Sequence, residues 1–386
     1  MKRQLTGLEK ATFILLFVIL LVYALVQAKH FLAPIALAVL FSYLLYPMVE
    51  FFYKKLKLPN AISILLALGV AFVLIYFVGN FFAYQIKKMV ADFPEIKRQA
   101  ISNLKYFQKL IESKFHISVE QQELWIQKQV SVVLQKTGHI LKVVSVNALG
   151  TLETILLLPI YSFFMLYYRD RWKNFILMLA EKQHSKLTDS LIRQISSVTT
   201  RYVVGVLIDV MILATLHSIF LSLIGMKYAV ALGVMTASLS FIPYFGTLVS
   251  GVIPFTFSIL ISPNPYTPLF IIAYFWLITF VDHNILIPTI IGGNVHLNPL
   301  ITILSIIAAG VVWGIPGMII IIPTIGVIKI ICDNIENLEP YGYVLGIDTN
   351  QKNLRKISEI IAKIKEKEDK GSEDSQDNTT DGNSKH

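Results

Sequence analysis

Asp209 stands inside an apolar run from Val203 to Leu223. An isolated ionised carboxylate at the centre of a bilayer costs at least about 2.5 kcal/mol on insertion scales, so a carboxylate there needs a use. Two uses are open. Asp209 takes up and releases a proton or cation, or it is a buried group bonded to a backbone donor or to His217 in the same run. A second polar cluster, Asp282-His283-Asn284, precedes the apolar Ile285-Leu286-Ile287-Pro288. Such a cluster suits the wall of an aqueous cavity, and equally a hydrogen-bonded contact between helices. Lys329 and Asp333, near the inner end of the last apolar run, read as interfacial anchors.

Two further sites are marked by backbone-breaking residues. Tyr228 to Ile261 is apolar but interrupted by Ile242-Pro243-Tyr244-Phe245-Gly246, and Pro299 to Ile331 is interrupted by Gly314-Ile315-Pro316-Gly317. Each stretch is too long for one straight span and too short for two full spans plus a turn. Proline removes a backbone donor and glycine loosens a helix. Both stretches therefore read as two half-length helices meeting at an Ile-Pro corner. Broken backbone at membrane depth survives only where protein or a water-filled cavity satisfies it, and paired broken helices point to a transporter's substrate site. The candidate binding residues are Pro243, Tyr244, Gly246, Asp282, Asn284, Gly314, Pro316 and Gly317, with Asp209 as the candidate for coupling. The competing reading makes both stretches ordinary kinked spans, eight crossings in all. Gly310 and Gly314 are spaced for close helix packing rather than chemistry.

Enzymatic chemistry has little to stand on. The sequence contains no P-loop, so an ATP-driven pump would need a partner chain, and no HExxH among its eight histidines. Val249-Ser250-Gly251 lacks the G-x-S-G form of an intramembrane serine protease. The one cysteine, Cys332, excludes a disulfide framework within one chain and a CxxC metal site. The expectation is a non-enzyme without cofactors.

The surrounding elements must then be membrane helices. Of 386 residues, 55% are hydrophobic and 15% charged, against roughly 25% charged in soluble domains; mean hydropathy is +0.63. Lipid must be the solvent for much of this surface. The net charge of +9 reads as lysines and arginines flanking spans, not as a nucleic-acid face. Unbroken apolar runs cover Ala11–Val26, Phe31–Phe52, Ala61–Ala83, Gly150–Tyr168, Val203–Leu223 and about Leu269–Ile287. The expected fold is an all-α polytopic membrane protein with eight hydrophobic segments: six transmembrane helices plus two inverted re-entrant hairpins. The basic clusters Lys54-Lys55-Leu56-Lys57 and Arg169-Asp170-Arg171-Trp172-Lys173 place both termini in the cytoplasm. By parity the first hairpin enters from outside and the second from inside. No small-x-small site follows the first run, which reads as a retained span.

The chain divides into 1–84 (three spans), 85–148 (an amphipathic helical extramembrane region), 149–200 (a fourth span and cytoplasmic helices), 201–333 (a core with both broken hairpins) and 334–386 (a tail). In the second region Asp92-Phe93-Pro94-Glu95 and Ser118-Val119-Glu120-Gln121 read as helix N-caps. Those helices would lie on the membrane, on a neighbouring subunit or on their own chain. In the tail, Leu354, Ile357, Ile360, Ile361 and Ile364 form an amphipathic pattern, and the polar 370–386 stretch reads as disordered.

One set of residues is specific as a set: Arg201-Tyr202 with Gly205; Phe241-Ile242-Pro243-Tyr244-Phe245-Gly246; Asp282-His283-Asn284 followed by Pro288; Asn298-Pro299-Leu300; Trp313-Gly314-Ile315-Pro316-Gly317 with Pro323; and Ile335-Glu336-Asn337-Leu338-Glu339-Pro340-Tyr341-Gly342. With these the chain resembles, over essentially its whole length, the AI-2E family of permeases, the autoinducer-2 exporter family. The resemblance implies a multi-pass protein of a bacterial inner membrane that exports a small hydrophilic signalling molecule. It also implies hairpins at the substrate site, an elevator-type motion and a homo-oligomer, pentameric in characterised relatives. Some relatives are described instead as sodium(cation)/proton antiporters. Many members have Gly-Gln where this chain has Gly205-Val206, and a Gln-rich stretch where it has Val281-Asp282-His283-Asn284. The expected partners are a small hydrophilic substrate, the lipid bilayer and further copies of the chain held by its N-terminal half, with no nucleic acid. A reading from another class is a non-transporting oligomeric scaffold. Transport expects aqueous space at both Ile-Pro corners; a scaffold expects dry packing there.

Overall fold

A computed structural model describes residues 7–92, 94–96, 98–103, 152–180, 185–242, 245–262, 264–291 and 297–347. Among these there is no strand, only an isolated bridge between Leu297 and Gly346. Five helices are long and apolar enough to cross a membrane, over Lys29–Lys55, Asn60–Ala91, Ser185–Leu223, Thr267–Ile290 and Ile315–Asn334.

The N-terminal frame comprises α1 (Gly7–Gln27), α2 (Lys29–Glu50), α3 (Asn60–Ala91) and α4 (Leu152–Tyr167). A π turn, Phe51–Lys55, ends α2, and Lys57 adopts a left-handed φ of 54° before Pro59 starts α3. Leu45, Val49, Ile64, Ala67, Leu68 and Leu166 bury one face of α2, α3 and α4 against each other. Ser42 Oγ donates to Ala38 O at 2.6 Å and reaches Ser162 O at 3.4 Å, so small residues let α2 and α4 approach. Most of the large apolar side chains of α1 face outward, Phe17 at 64% exposure among them. An apolar exterior of this extent suits lipid rather than water.

A short helix, α5 (Arg169–Leu179), leads to α6 (Ser185–Leu223), whose 39 residues span about 58 Å. The polar stretch to Thr200 and the apolar run after it form one helix, because no proline interrupts them. Gly225 (φ 73°) and Tyr228 (φ 64°) then reverse the chain. Helix α7 (Ala229–Leu239) runs back along α6, with Gly233 so close that a Cβ would lie 2.4 Å from Ser218 Oγ. After the first corner come α8 (Phe245–Ser250) and α9 (Val252–Ile261). Helix α10 (Thr267–Val281) continues through a π turn, Asp282–Leu286, into α11 (Ile287–Ile290).

The second broken stretch forms α12 (Pro299–Trp313) and α13 (Ile315–Asn334), followed by α14 (Glu339–Leu345). Asn298 caps α12, its side chain accepting from Leu300 N at 3.0 Å. Gly314 turns the chain at φ 66°, ψ −143°, a conformation open to glycine alone. The two arms differ from the half-length pair expected: α12 has 15 residues and α13 has 20, the latter about 30 Å. Trp313 at the turn donates to Leu25 O of α1 at 2.9 Å. At the first corner, Ile242 packs with Ile306 and Ile322, each about two turns from Gly314 along the arms, and with Met318, about one turn from it.

The region after α3 also differs in one respect. Residues 94–96 and 98–103 are helical, and Ile96 N donates to Asp92 O at 2.9 Å. The Asp92 carboxylate, however, accepts from the Tyr228 phenol and pairs with Lys227 Nζ at 3.0 Å. It ties the end of α3 to the α6–α7 turn. Asn103 Nδ2 reaches the carbonyls of Ile259, Leu260 and Ser262 at 3.3, 3.2 and 2.8 Å, capping the C-terminus of α9. The capping pattern at Ser118–Gln121 and the amphipathic pattern from Leu354 to Ile364 lie outside the described residues.

Candidate functional site

Helix α6 buries the side of its helix that carries Val206, Asp209, Val210, Leu213, His217 and Leu221. Opposite it runs α10, in the reverse direction, and three levels of contact form the seam. At one level Gly205 meets Ile291: a Cβ on Gly205 would lie 2.9 Å from Ile291 Cγ1 and 3.2 Å from its Cα. At the next, Asp209 (5% exposed) and Asp282 (2% exposed) bring their carboxylates within hydrogen-bonding reach of each other. At the third, His217 Nδ1 meets the Tyr274 hydroxyl at 3.0 Å, while the Tyr274 ring stacks on Phe220 with centroids 3.8 Å apart.

The two aspartates are the chemically distinctive pair. Asp282 opens the π turn, and Ile287 N closes it by donating to Asp282 O. Such turns insert one residue into a helix and re-aim the side chains around them. Neither Asp209 Oδ1 nor Asp282 Oδ1 has a hydrogen-bond donor among the described residues. His283 Nδ1 lies 3.8 Å from Asp282 Oδ2 but bonds Thr279 O at 3.0 Å, and a carbonyl accepts only, so Nδ1 carries the hydrogen. His217 is not the partner of Asp209. Eight residues along one helix separate them by about 12 Å, and its ring is engaged by Tyr274 and by Phe275 at 4.8 Å.

The other candidate residues scatter. Asn284 is exposed and turns away from Asp282, its Nδ2 donating to Phe280 O at 2.8 Å. Gly246 is a backbone contact at the first corner, where a Cβ would lie 1.8 Å from Leu239 O. Gly314, Pro316 and Gly317 form the second turn; Pro316 sits in the first turn of α13, and a Cβ on Gly317 would lie 2.2 Å from Ala309 O. Pro243 and Tyr244 lie outside the described residues. At the corners, Ile242 is buried among Ile306, Ile322 and Met318, while Gly314 has open space beside it. A cavity of about 510 Å³ is lined by Tyr46, Glu50, Arg201, Gly205, Ile208 and Ile290. Gly205 is one helical turn from Asp209.

Sequence reasoning missed the pairing and missed Tyr274. One signal was present: Asp209 and Asp282 fall in consecutive unbroken apolar runs of opposite direction. No group of three or more metal-ligating side chains occurs among the described residues. Outside the spans, the Tyr228 phenol and then the Lys227 ammonium hold the Asp92 carboxyl below the usual carboxylate range.

Long apolar helices around a buried polar seam, with a cavity that reaches Gly205 at one end of it, suit a polytopic membrane transport protein. The chain belongs to the AI-2E family transporter family, whose model matches residues 13–337. It is similar to YrrI of Bacillus subtilis (strain 168), 22% identical over 310 residues, covering 78% of this chain and 86% of that one. YueF of the same organism is 24% identical over 317 residues, 79% and 84% of the two chains. Both names place their proteins provisionally in transport. The AI-2 transport protein TqsA of Escherichia coli (strain K12) is 22% identical over 304 residues, 78% and 86% of the two chains.

Proposed function

We propose that this protein is a secondary transporter that exports a small hydrophilic molecule of the autoinducer-2 kind, with Asp209 and Asp282 as its coupling pair. The observation that carries the reading is the buried contact between those two carboxylates. Two like unit charges about 4 Å apart repel by about 4 kcal/mol at an effective dielectric near 20. One positive charge between them, a shared proton or a bound cation, removes that repulsion. Gaining the charge at one membrane face and losing it at the other gives a gradient a way to drive the cycle. The same pair favours a second reading, sodium(cation)/proton antiport, in which the ion is itself the cargo.

The core around the pair supports an elevator-type motion with a re-entrant first hairpin. Helix α7 has 11 residues, about 16 Å, against a hydrocarbon core of about 30 Å. Arg169 lies over the Tyr46 ring at 4.4 Å and Lys54 pairs with Glu50, so the two basic clusters share one end of the bundle. That end is cytoplasmic under the positive-inside rule, and both termini with it. The outward apolar face of α1 suits a homo-oligomer held by the N-terminal half.

The test is flux of candidate substrates in liposomes, with and without imposed sodium and proton gradients, for wild type and Asp209→Asn. Assembly of the variant is checked first by size-exclusion chromatography. The expected result is that the assembled variant loses gradient-driven flux. Gradient dependence that survives the substitution makes Asp209 structural and removes the coupling reading.

A further inference from the structure

A second cavity, of about 420 Å³, lies at the basic end of the bundle between α2, α4, α5 and α6. Its lining changes character with depth. The floor is Val39, Ser42 and Leu166, within the apolar parts of α2 and α4. The rim carries the cations of Arg169, Lys173 and Arg193, with Asp170 the one acidic residue in the lining.

The rim is organised rather than merely basic. Asp189, behind it on α6, pairs with Lys173 Nζ at 2.9 Å and Arg193 Nη1 at 2.5 Å. One carboxylate thus fixes two cations that belong to different helices. The Arg169 guanidinium lies over the Tyr46 ring at 4.4 Å, and only its Nε meets an acceptor, Asp170 Oδ1 at 3.3 Å. Its four terminal N–H groups have no acceptor among the described residues. Arginine held flat in this way presents a fork that matches a phosphate group. Helix α5 exposes Phe175 and Met178 beside the rim, as suits a helix lying among lipid headgroups.

We propose that this cavity binds an anionic phospholipid, its phosphate on the Arg169–Arg193 rim and an acyl chain against Val39 and Leu166. A basic pocket between membrane helices suits an anionic headgroup. The floor decides between the two sources of a phosphate. A soluble phosphate ester uses the rim alone and leaves the apolar floor wet, whereas a lipid covers both. The bound lipid bridges α2 and α4 of the frame, and α5 beside them, to α6, the helix that carries Asp209.

The experiment is native mass spectrometry of the full-length protein in mild detergent, titrated separately with phosphatidylglycerol, phosphatidylcholine and glycerol phosphate. Phosphatidylglycerol is expected to be retained about tenfold better than phosphatidylcholine, a preference of the size that charge-assisted hydrogen bonds supply. Arg169→Gln with Arg193→Gln should reduce it to the phosphatidylcholine level. Arg171→Gln, whose side chain sits over the Tyr168 ring and not in the cavity, should leave it unchanged. Val39→Phe, which fills the floor without touching a charge, should remove retention of phosphatidylglycerol and keeps the test decisive if the double variant fails to fold. Equal retention of the two lipids by wild type overturns the proposal, as does a preference that survives filling of the floor. Glycerol phosphate binding as well as phosphatidylglycerol makes the cavity a soluble-phosphate site and overturns the lipid assignment.

Discussion

Gly317→Ala, at the turn of the second hairpin, puts the close packing of α12 and α13 to a quantitative test. A Cβ at 317 would stand 2.2 Å from Ala309 O, 2.9 Å from Ala309 C and 3.1 Å from Trp313 Cβ. The nearest partner is backbone and cannot swing aside. A carbon packs against a carbonyl oxygen at about 3.3 Å or more, so the arms must part by about 1 Å. Overpacking of this kind costs roughly 1–3 kcal/mol, and the middle of that range is about a thirtyfold shift in the folding equilibrium. Two neighbouring glycines serve as controls with different physics. At Gly310 the obstacle is Met318 Cε at 2.4 Å, the end of a flexible side chain, and alanine also gains about 1 kcal/mol of helix propensity over glycine. Gly310→Ala should therefore be close to neutral. At Gly314 nothing lies within 4 Å, but φ is 66° and ψ −143°, so alanine incurs a conformational cost of about 1–3 kcal/mol with no clash. The assay is heating of the detergent-solubilised protein followed by size-exclusion chromatography, reading the fraction still monodisperse. Gly317→Ala and Gly314→Ala should fall well below wild type, and Gly310→Ala should not. A Gly317→Ala protein as robust as wild type would refute the claim that the arms touch through their backbones.

Two further predictions follow from contacts elsewhere. Gly205→Ala should push α6 from Ile291 and separate Asp209 from Asp282, so liposome flux should fall much further than thermal stability; equal losses in both would make the seam purely structural. The Asp92 tie predicts a pH dependence. Because the folded-state pKa of Asp92 is lowered, its stabilisation is present above the ordinary value of 3.8 and is lost as pH falls through the folded value. Lys227 is raised by its bond to Asp92, so its share persists until pH exceeds the ordinary lysine value of 10.5. Asp92→Asn should thus lower stability by a constant amount between about pH 5 and 9, with the gap closing in strong acid; a gap that widens on acidification would contradict the assignment.

What could be read from residue order alone was local. The corners at Ile242–Gly246 and Gly314–Gly317 were legible because proline and glycine act on their own backbone. The long apolar runs were legible because length and hydropathy are additive along the chain. Asp209 stood out as costly, but its partner did not: His217 shared its run, whereas Asp282 arrives from a different helix through tertiary packing. The orientation of Asn284 was legible in principle, since residues two apart on a helix point about 200° apart and so cannot share the face of Asp282. The length of α13 was hidden by composition, because Ile315 to Ile331 is apolar save for Thr324 and Lys329, and a break at Gly314 says nothing about where the following arm ends. Asp92 looked like a helix cap, and capping is the commonest use of that pattern; a tyrosine 136 positions away outcompeted it.

The arm over residues 92–103 holds the first hairpin at both of its ends. Asp92 grips the turn before α7, and Asn103 closes the last carbonyls of α9. A displacement of that hairpin by one helical turn, about 5.4 Å, would have to break these ties or drag the arm along. Breaking them together would raise the activation barrier by several net hydrogen bonds, each about 1 kcal/mol, and slow the step accordingly. Travelling together avoids that barrier. Under the proposed motion the arm is ballast carried with that hairpin, and a binder that seizes it would act as a brake without entering the path of the transported molecule.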